Sequence, residues 1–389
     1  MKLKSAVLFL PLFMIASAVC AQVIPPERSE NGHIISADRI GSFYSVLPLA
    51  GYTSDLGLFG GGFIQRINYG IDVRPFLSTM KSDITVSTKG NIVSKLEYER
   101  TRMFGRNIRS RVDFIGQRIR RDFYFGIGND TEFSEDLLDD GYYYFDNREL
   151  YLNYQARRLI REYGTNGRLD IFGSFTVSRV NGLTQGEETR FEEEMPPGFG
   201  KKWVNKLGIG LVADSRVNEF APTRGIRYEI GFNTSSSIFG SSYSFSDIHA
   251  ELRHFTELFN YLVIAHRFDV RHNLGEAPFW ALPVIGNQYG LRGYHRNRFR
   301  GDSSVLNMTE LRSWLFSVID GGVRIGAQAF WDTGRVFSNA DSNSMFDGWH
   351  HTFGFGGAVT LFNPDFIVRG DVAFSDETMR IYFGAGYIF

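Results

Sequence analysis

The sequence predicts an all-β protein, a 16-stranded antiparallel transmembrane β-barrel, and two observations lead to this fold class. Apolar residues alternate with polar or small residues along most of the chain, which is the period of a strand with two different faces. The connections between these segments are alternately long and short, as in barrels of the outer membrane. The composition agrees, because 42 glycines, 36 phenylalanines and 18 tyrosines accompany a mean hydropathy of only -0.18.

The C-terminal segments show the alternation most clearly. In the last ten residues one face is apolar throughout: Ile381, Phe383, Ala385, Tyr387 and Phe389. The segment 323–332 is ambiguous by itself, because a helical period would also align Arg324, Gln328 and Asp332. Its glycine and the neighbouring segments favour a strand.

Counting in twos from Ser42 onward predicts sixteen strands, with roughly 22 residues per strand and connection, which suits a tilted membrane strand and its turn. The predicted strands start near residues 42, 56, 75, 91, 109, 146, 168, 203, 225, 243, 261, 304, 322, 350, 366 and 379. The long connections lie near residues 128–145, 181–202, 274–303 and 338–349. An even number of strands places both termini on the side of the short turns, which is the periplasm.

A soluble β-sandwich is the alternative that period-two strands leave open. The face opposite the apolar one argues against it, because it carries charges such as Arg267, Asp269 and Arg271 in the segment RFDVRHN. A sandwich core cannot accommodate such charges, whereas a wet lumen can. A closed barrel also removes the strand edges that lipid would leave without hydrogen bonds.

The chain begins with the features of a secretory signal peptide, residues 1–21. Lys2 and Lys4 precede an uncharged apolar run, and small residues suit cleavage after Ala21. The run is shorter than a membrane-spanning helix requires, so a permanent anchor is the weaker alternative. We expect a short periplasmic segment, residues 22–41, and then the barrel, residues 42–389. The single cysteine, Cys20, lies in the signal peptide, so the mature chain is expected to form no disulfide.

Several short motifs, in their order, resemble the BamA/TamA superfamily of outer-membrane assembly barrels, also called the bacterial surface antigen family. They are YTSDLGLFGGG from Tyr52, FYFGIGNDT, DSRVNEFAPTRG, LRGY at 291–294, TELR at 309–312 and FWDTG at 330–334. No single motif is specific, but the resemblance covers most of residues 52–389. Where the family usually has VRGF, this chain has LRGY.

The resemblance implies that the sixth extracellular loop folds back into the lumen. Its tip would be Arg292, with Glu310 and Asp332 as acidic partners on the barrel wall. Our division into faces independently places both acids on the inner face of their strands. Gly293 permits a tight turn, and Tyr294 can pack against the wall. An arginine suits this position because its planar fork can bond a carboxylate at two points.

For the other arginines of this loop, a second interpretation is open. Arg296, Arg298 and Arg300 could instead face the exterior and meet the phosphates of lipopolysaccharide.

The C-terminal sequence YFGAGYIF resembles the signal by which assembly machinery recognises the last strand of a barrel. The matching residues are Gly384, Tyr387 and the final Phe389. Ordinary lipid-facing and interfacial aromatic chemistry would give the same pattern.

The resemblance predicts a role in outer-membrane protein assembly, insertion or export, in the outer membrane of a Gram-negative bacterium. Only about 20 residues separate the signal peptide from the first strand, which is too few for a periplasmic POTRA module. A partner would therefore supply the periplasmic functions, beside the outer-membrane assembly machinery and the surrounding lipid and lipopolysaccharide. A loop-gated pore and a structural barrel of a surface complex are the alternative functions.

The sequence predicts no enzyme and no cofactor, catalytic or metal site. GDSS at 301–304 is read as a polar loop entering a strand, because no histidine spacing supports a serine hydrolase. His350 and His351 lack a further ligand at a defined spacing. The acidic run at 187–197 is read as a solvated loop. No basic patch or motif indicates nucleic acid as a partner, and the formal net charge is -1.

Overall fold

The computed structural model describes residues 41–53, 57–70, 73, 76–184, 188–259, 261–318, 323–338, 346–360 and 365–389. The predicted signal peptide and nearly all of the segment 22–41 lie outside these residues. The described residues form one 16-stranded antiparallel sheet and a two-stranded one. The strands of the large sheet are β1 Gly41–Thr53, β2 Gly57–Tyr69, β3 Ser78–Ser87, β4 Ile92–Arg100, β5 Ile108–Phe123, β6 Tyr144–Tyr163, β7 Gly167–Leu183, β8 Gly200–Asp214, β9 Gly225–Ser235, β10 Phe245–Leu258, β11 Leu262–Gly275, β14 Ser303–Val318, β15 Val323–Phe337, β16 His350–Thr360, β17 Ile367–Phe374 and β18 Met379–Ala385.

Each strand of the large sheet pairs with the next strand of that sheet along the chain, and between β11 and β14 the chain contains an insertion with two further described strands. The insertion carries the small sheet, β12 Val284–Ile285 and β13 Phe299–Arg300. The predicted all-β, 16-stranded antiparallel fold is therefore confirmed. All sixteen strands begin within three residues of the predicted positions.

The two faces of each strand explain why these residues form a barrel. In β15, Trp331 is 50% exposed on the outside, while its neighbours Phe330 and Asp332 are 5% and 0% exposed on the inside. In β6, the outward Leu150, Leu152 and Tyr154 are all exposed. The outer surface is thus apolar and the inner surface polar, so the ambiguous segment 323–332 is a strand with the predicted faces.

The first and last strands lie side by side but are not joined by a ladder. The sheet order runs from β1 to β18, and within the described residues no register pairs these two strands. β18 has only seven residues, and it ends at Ala385. The ring is therefore nearly closed, with a seam between β1 and β18.

The barrel has a loop end and a turn end. The loop end is where β5 finishes at Phe123 and β11 at Gly275; the turn end is where β6 finishes at Tyr163 and β10 at Leu258. The loop end carries the short helices α1 Glu135–Asp139 and α2 Arg190–Glu194, and single 3-10 turns at Ser237–Phe239 and Phe279–Ala281. No helix in the described part of the chain is long and apolar enough to cross a membrane.

Candidate functional site

Residues 276–302, between β11 and β14, form the insertion that we call loop 6. Its base is held by the β12–β13 pair, in which Val284 faces Arg300 and Ile285 faces Phe299. The N–H of Gly128 donates to the carbonyl oxygen of Arg300 at 2.7 Å, which ties loop 6 to the connection after β5. The stretch between β12 and β13 carries Arg292 at its tip.

Arg292 is fully buried and bonded to two carboxylates on adjacent strands. Its Nε and Nη2 donate to the two oxygens of Asp332 at 2.6 and 2.7 Å, and its Nη1 donates to Oε1 of Glu310 at 2.5 Å. The guanidinium carbon lies 3.4 Å from the centre of the Phe330 ring. We call Arg292, Glu310 and Asp332 the Arg292 cluster.

The opposite charges of the Arg292 cluster stabilise the charged form of Arg292. Burial would by itself lower the pKa of the Arg292 guanidinium, but Asp332 and Glu310 together raise that pKa above its ordinary value. The guanidinium therefore stays charged across the physiological range. Because a buried charge is tolerated only when it is paired and hydrogen-bonded, the tip requires both carboxylates.

Gly293 and Tyr294 extend the contact to the last two strands. Gly293 has a φ of +95°, its N–H donates to the Tyr382 hydroxyl at 3.2 Å, and its carbonyl accepts from Ser375 Oγ at 3.0 Å. The Tyr294 hydroxyl donates to Asp376. The tip of loop 6 thus contacts β14 and β15 through Arg292, and β18 and the β17–β18 turn through Gly293 and Tyr294.

Two of the other three arginines of loop 6, Arg298 and Arg300, lie in the interior rather than at the exterior. Arg298 is 3% exposed and bonds both Glu377, at 2.9 Å, and the carbonyl of Thr131, at 2.6 Å. Arg300 is 4% exposed and donates to the Phe279 carbonyl. Arg296 is partly exposed and pairs with Asp122 at 2.5 Å. The alternative in which Arg298 and Arg300 meet external phosphates is therefore wrong for these two residues.

The C-terminal residues depart from the predicted outward face. Gly384 lies in β18, but Gly386 adopts a φ of +81° and turns the chain inward. Phe389 is 4% exposed, in one apolar cluster with Leu291 and Tyr294 of loop 6. The alternative in which ordinary lipid-facing chemistry explains Phe389 is therefore wrong, because that ring is buried inside. The role of Gly384, Tyr387 and Phe389 as an assembly signal stays a prediction.

Arg312 connects the C-terminal residues with the Arg292 cluster, a link that the sequence did not reveal. Its Nε donates to Oε2 of Glu310 at 2.8 Å, and its Nη2 donates to the main-chain oxygen of Phe389 at 3.1 Å. Its guanidinium carbon lies 4.1 Å from the ring centre of Tyr387. Glu310 therefore accepts from Arg292 of loop 6 through Oε1 and from Arg312 through Oε2, and Arg312 in turn contacts the C-terminal residues.

A second buried ion cluster lies at the turn end. Arg109 donates to both oxygens of Glu219 at 2.7 Å and also to Glu99. Burial would raise the pKa of the Glu219 carboxyl, but Arg109 together with Arg216 and Arg157 holds that pKa well below its ordinary value. Glu219 belongs to the DSRVNEFAPTRG motif, so this motif fixes the turn between β8 and β9 to the barrel wall.

The remaining chemical candidates form no catalytic or metal arrangement in the described residues. Ser303 Oγ lies 2.7 Å from Nδ1 of the exposed His272, but no carboxylate of the described residues bonds the other nitrogen of that ring. The ring centres of His350 and Phe299 are 3.7 Å apart. The described part of the acidic run forms α2, where Glu193 and Glu194 accept from tyrosine hydroxyls. No group of three or more metal-ligating residues occurs in the described ranges.

A 16-stranded barrel with an outer apolar surface and a long loop pinned to its inner wall defines the class of outer-membrane β-barrels. A family model described as the Omp85 superfamily domain matches residues 140–389. Because this match covers more than half of the chain, the protein belongs to the Omp85 superfamily. A comparison with curated proteins gave no match.

Solved structures support the same fold. BamA from Haemophilus ducreyi lacking POTRA domains 1-3 is similar with a TM-score of 0.55 and 13% identity, over 90% of this chain and 70% of that chain. CdiB from Acinetobacter baumannii gives 0.55 and 12%, over 93% and 64%. CdiB from Escherichia coli gives 0.58 and 10%, over 89% and 62%. The chain thus spans about two thirds of the length of these proteins, and at such identities the likeness concerns the fold alone.

Proposed function

We propose that this barrel takes part in the assembly, insertion or export of outer-membrane proteins, with a partner that supplies functions on the periplasmic side. The observation that carries the proposal is the seam, because β1 has no ladder on the side away from β2 in the described residues. Membership of the Omp85 superfamily supports the same function.

The physical argument starts from the edge of β1. A strand edge presents N–H and C=O groups that lipid cannot satisfy, so it is a template for an added strand. Loop 6 is pinned against the inner wall by the Arg292 cluster, which obstructs a route along the bore. The seam is therefore the better route for an incoming strand, by the pairing that extends a sheet at its edge.

In the proposed orientation, the turn end and both termini face the periplasm and the loop end faces the exterior. A protease-cleavable epitope inserted in α1, residues Glu135–Asp139, should then be accessible on intact cells. The same epitope inserted in the turn between β6 and β7 should be protected until the outer membrane is opened. The reverse pattern of access would contradict this orientation.

Disulfides across the seam test the proposed function. Cysteine pairs placed along β1 and β18, oxidised in cells, should lower the amount of newly folded outer-membrane protein, and a reducing agent should restore it. The control is Ser45→Cys with Gln65→Cys, which cross-links two strands that already share a ladder. Normal assembly with a fully oxidised seam would refute the proposal. Chemical cross-linking in native outer membranes would identify the periplasmic partner.

A loop-gated pore is a second candidate, favoured by the charged inner wall. Arg267 bonds Glu251 at 2.7 Å and Asp269 at 3.2 Å, so the wall of the bore is suited to water and ions. The disulfides across the seam separate the two functions, because a loop-gated pore does not need the seam to open.

A further inference from the structure

The outer surface of β5–β8 carries a row of cations near the loop end that loop 6 does not use. Cross-strand register places Arg118 opposite Arg148, Arg148 opposite Asn181, and Asn181 opposite Lys201. Residues directly opposite each other share a face of the sheet. The row lies on the outer face, because Arg118 is also opposite Ile92, which is 47% exposed.

An apolar band begins directly below this row, towards the turn end. Leu150 and Leu152 follow Arg148 on the same face and are 48% and 45% exposed. Arg179 is opposite Leu150, and its guanidinium carbon lies 5.5 Å from the centre of the Trp203 ring. Cations and a tryptophan at the limit of an apolar band are typical of the level at which lipid headgroups begin.

Above the row, a cleft of about 390 Å³ is lined by three cations and no carboxylate. Its lining residues are Thr88, Lys89, Gly90, Arg120 and Arg121. A register shift between Ile119 and Asp122 interrupts the β5–β6 ladder here, so Arg120 and Arg121 are at a bulge, where both are exposed. Bulges redirect side chains. Neither arginine has an ion pair with any described residue.

The carboxylates near this surface do not balance its cations. Asp146 accepts from Arg118 at 2.7 Å and from Arg148 at 3.2 Å, so one acid serves two arginines. Asp139, Asp140 and Glu188 line a neighbouring cleft beside Arg121, which leaves the other cations of this surface without them. Arg120, Arg179 and Lys201 have no carboxylate partner in the described ranges, which leaves a positive surface at the edge of the apolar band.

We propose that this surface, which we call the basic belt, binds the phosphate groups of a phosphorylated glycolipid of the lipid A type. The basic belt comprises Arg118, Arg120, Arg121, Arg148, Arg179 and Lys201. Guanidinium groups match phosphate in charge and in hydrogen-bond geometry. The apolar band below the belt contacts the acyl chains, which distinguishes a membrane lipid from a soluble anion. The inference relies on the proposed orientation, with the loop end at the exterior, but not on the assembly role.

Binding of lipid A to the purified full-length protein in detergent tests the basic belt, independently of orientation and of assembly activity. The variant is Arg120→Gln with Arg121→Gln, because both side chains are exposed and neither has an ion pair within the described residues. We expect the affinity for bis-phosphorylated lipid A to fall roughly fivefold to tenfold, the size expected for two exposed charge contacts. Dephosphorylated lipid A should bind weakly to both proteins, and added salt should weaken binding to the native protein.

The control is Arg158→Gln with Arg161→Gln, an equal loss of charge on exposed residues of β6 near the turn end. Its affinity should stay at the native value; an equal decrease would attribute binding to net charge and overturn the inference. Equal binding of phosphorylated and dephosphorylated lipid A, or displacement by inorganic phosphate at equal concentration, would also overturn it. If the first variant does not fold, Arg179→Gln with Lys201→Gln provides the same comparison with two other residues of the basic belt.

Discussion

A single residue, Arg292, fixes the tip of loop 6. Its three side-chain bonds to two carboxylates satisfy a charge that would otherwise be costly to bury. The face of Phe330 covers the guanidinium, and the quadrupole of that ring adds attraction. The same contacts make the position sensitive, since removing one partner leaves the others buried and unpaired.

Arg292→Ala should loosen loop 6. Because two buried carboxylates would lose their shared cation, we expect a loss of about 3 to 5 kcal/mol in the free energy of unfolding. Urea unfolding in detergent and protease access to loop 6 measure it. Arg296→Ala is the control, because Arg296 is partly exposed and its buried partner Asp122 keeps hydrogen bonds from Asn147 and Asn297, so its loss should cost only about 1 kcal/mol. Equal effects of the two substitutions would contradict a special role for Arg292.

Gly293→Ala tests the backbone of the tip. The φ of +95° disfavours any side chain, and an added Cβ would lie 3.0 Å from the carbonyl carbon of Phe374. We expect a loss of about 1 to 3 kcal/mol, measured as for Arg292. Gly290→Ala is the matched control, because the nearest atom to its added Cβ is 3.7 Å away. A Gly293→Ala protein as stable as Gly290→Ala would show that the tip tolerates other conformations.

His295 is a buried neutral residue beside the tip. Its Nδ1 accepts from Arg380 Nη1 at 3.1 Å, and the rings of Phe123, Phe125 and Phe133 surround it. Burial, followed by the charges of Arg380, Arg298 and Lys89, lowers its pKa to about 3. A protonated Nδ1 could no longer accept the bond, so geometry and charge both favour the neutral ring.

Acidification should therefore destabilise the protein through His295. In the unfolded chain the histidine pKa is about 6.5, so its contribution is complete above that pH and declines as the pH falls towards the folded value. At pH 5.5 we expect a loss of about 1 kcal/mol relative to pH 7.5. His295→Gln should remove this part of the pH dependence of urea unfolding, whereas His272→Gln, at an exposed position, should retain it. Identical pH profiles for native protein and His295→Gln would refute this account.

At the scale of elements, the barrel strands could be predicted because each has one apolar and one polar face. In β14, Leu311 is 43% exposed while Glu310 and Arg312 are buried inside, as the alternation predicts. The β12–β13 pair could not be predicted, because two-residue strands carry no period. The pairing of Arg292 with two acids joins residues 18 and 40 positions apart, so it could be proposed only from the family resemblance.

The C-terminal residues show where alternation misleads. Gly386 turns the chain, its N–H donating to the Ile367 carbonyl at 2.7 Å and its carbonyl accepting from Arg369 at 3.0 Å. Both partners lie on β17. The alternation of apolar residues therefore continues past the turn in the sequence. One signal was present, because Gly384 and Gly386 both interrupt the apolar side chains at the end of β18.

Removing Phe389 should affect both assembly and loop 6. Phe389→Ala takes a buried ring from the cluster that contains Leu291 and Tyr294, which should cost about 3 kcal/mol. We expect less protein in the outer membrane and faster proteolysis of loop 6 in the protein that is inserted. Phe383→Ala is the control, since that ring is 43% exposed on the outer face of β18. Normal insertion and unchanged proteolysis would contradict both effects, whereas a defect in insertion alone would favour a pure recognition signal.

At the scale of the whole molecule, buried ion clusters hold connections against both ends of the barrel wall. Glu219 and Arg109 hold the β8–β9 turn at the turn end, and the Arg292 cluster holds loop 6 from the loop end. Both clusters join a connection to charged residues on the inner face of strands. The inner wall therefore holds both the β8–β9 turn and loop 6. This favours an obstructed bore and makes the seam the interruption of the ring.

Conductance in planar bilayers separates an obstructed barrel from a pore. If loop 6 obstructs the bore, the native protein should conduct weakly, and Arg292→Ala should conduct several-fold more because the loop is released. Arg120→Gln with Arg121→Gln is the control, because these residues lie on the outer surface and should leave conductance unchanged. A large steady conductance of the native protein, unaffected by Arg292→Ala, would favour an open pore. Weak native conductance that rises in the Arg292 variant would show that loop 6 closes the bore, as a loop-gated pore also requires. The disulfides across the seam then decide between the two functions: blocked assembly favours the seam, and normal assembly favours the gated pore.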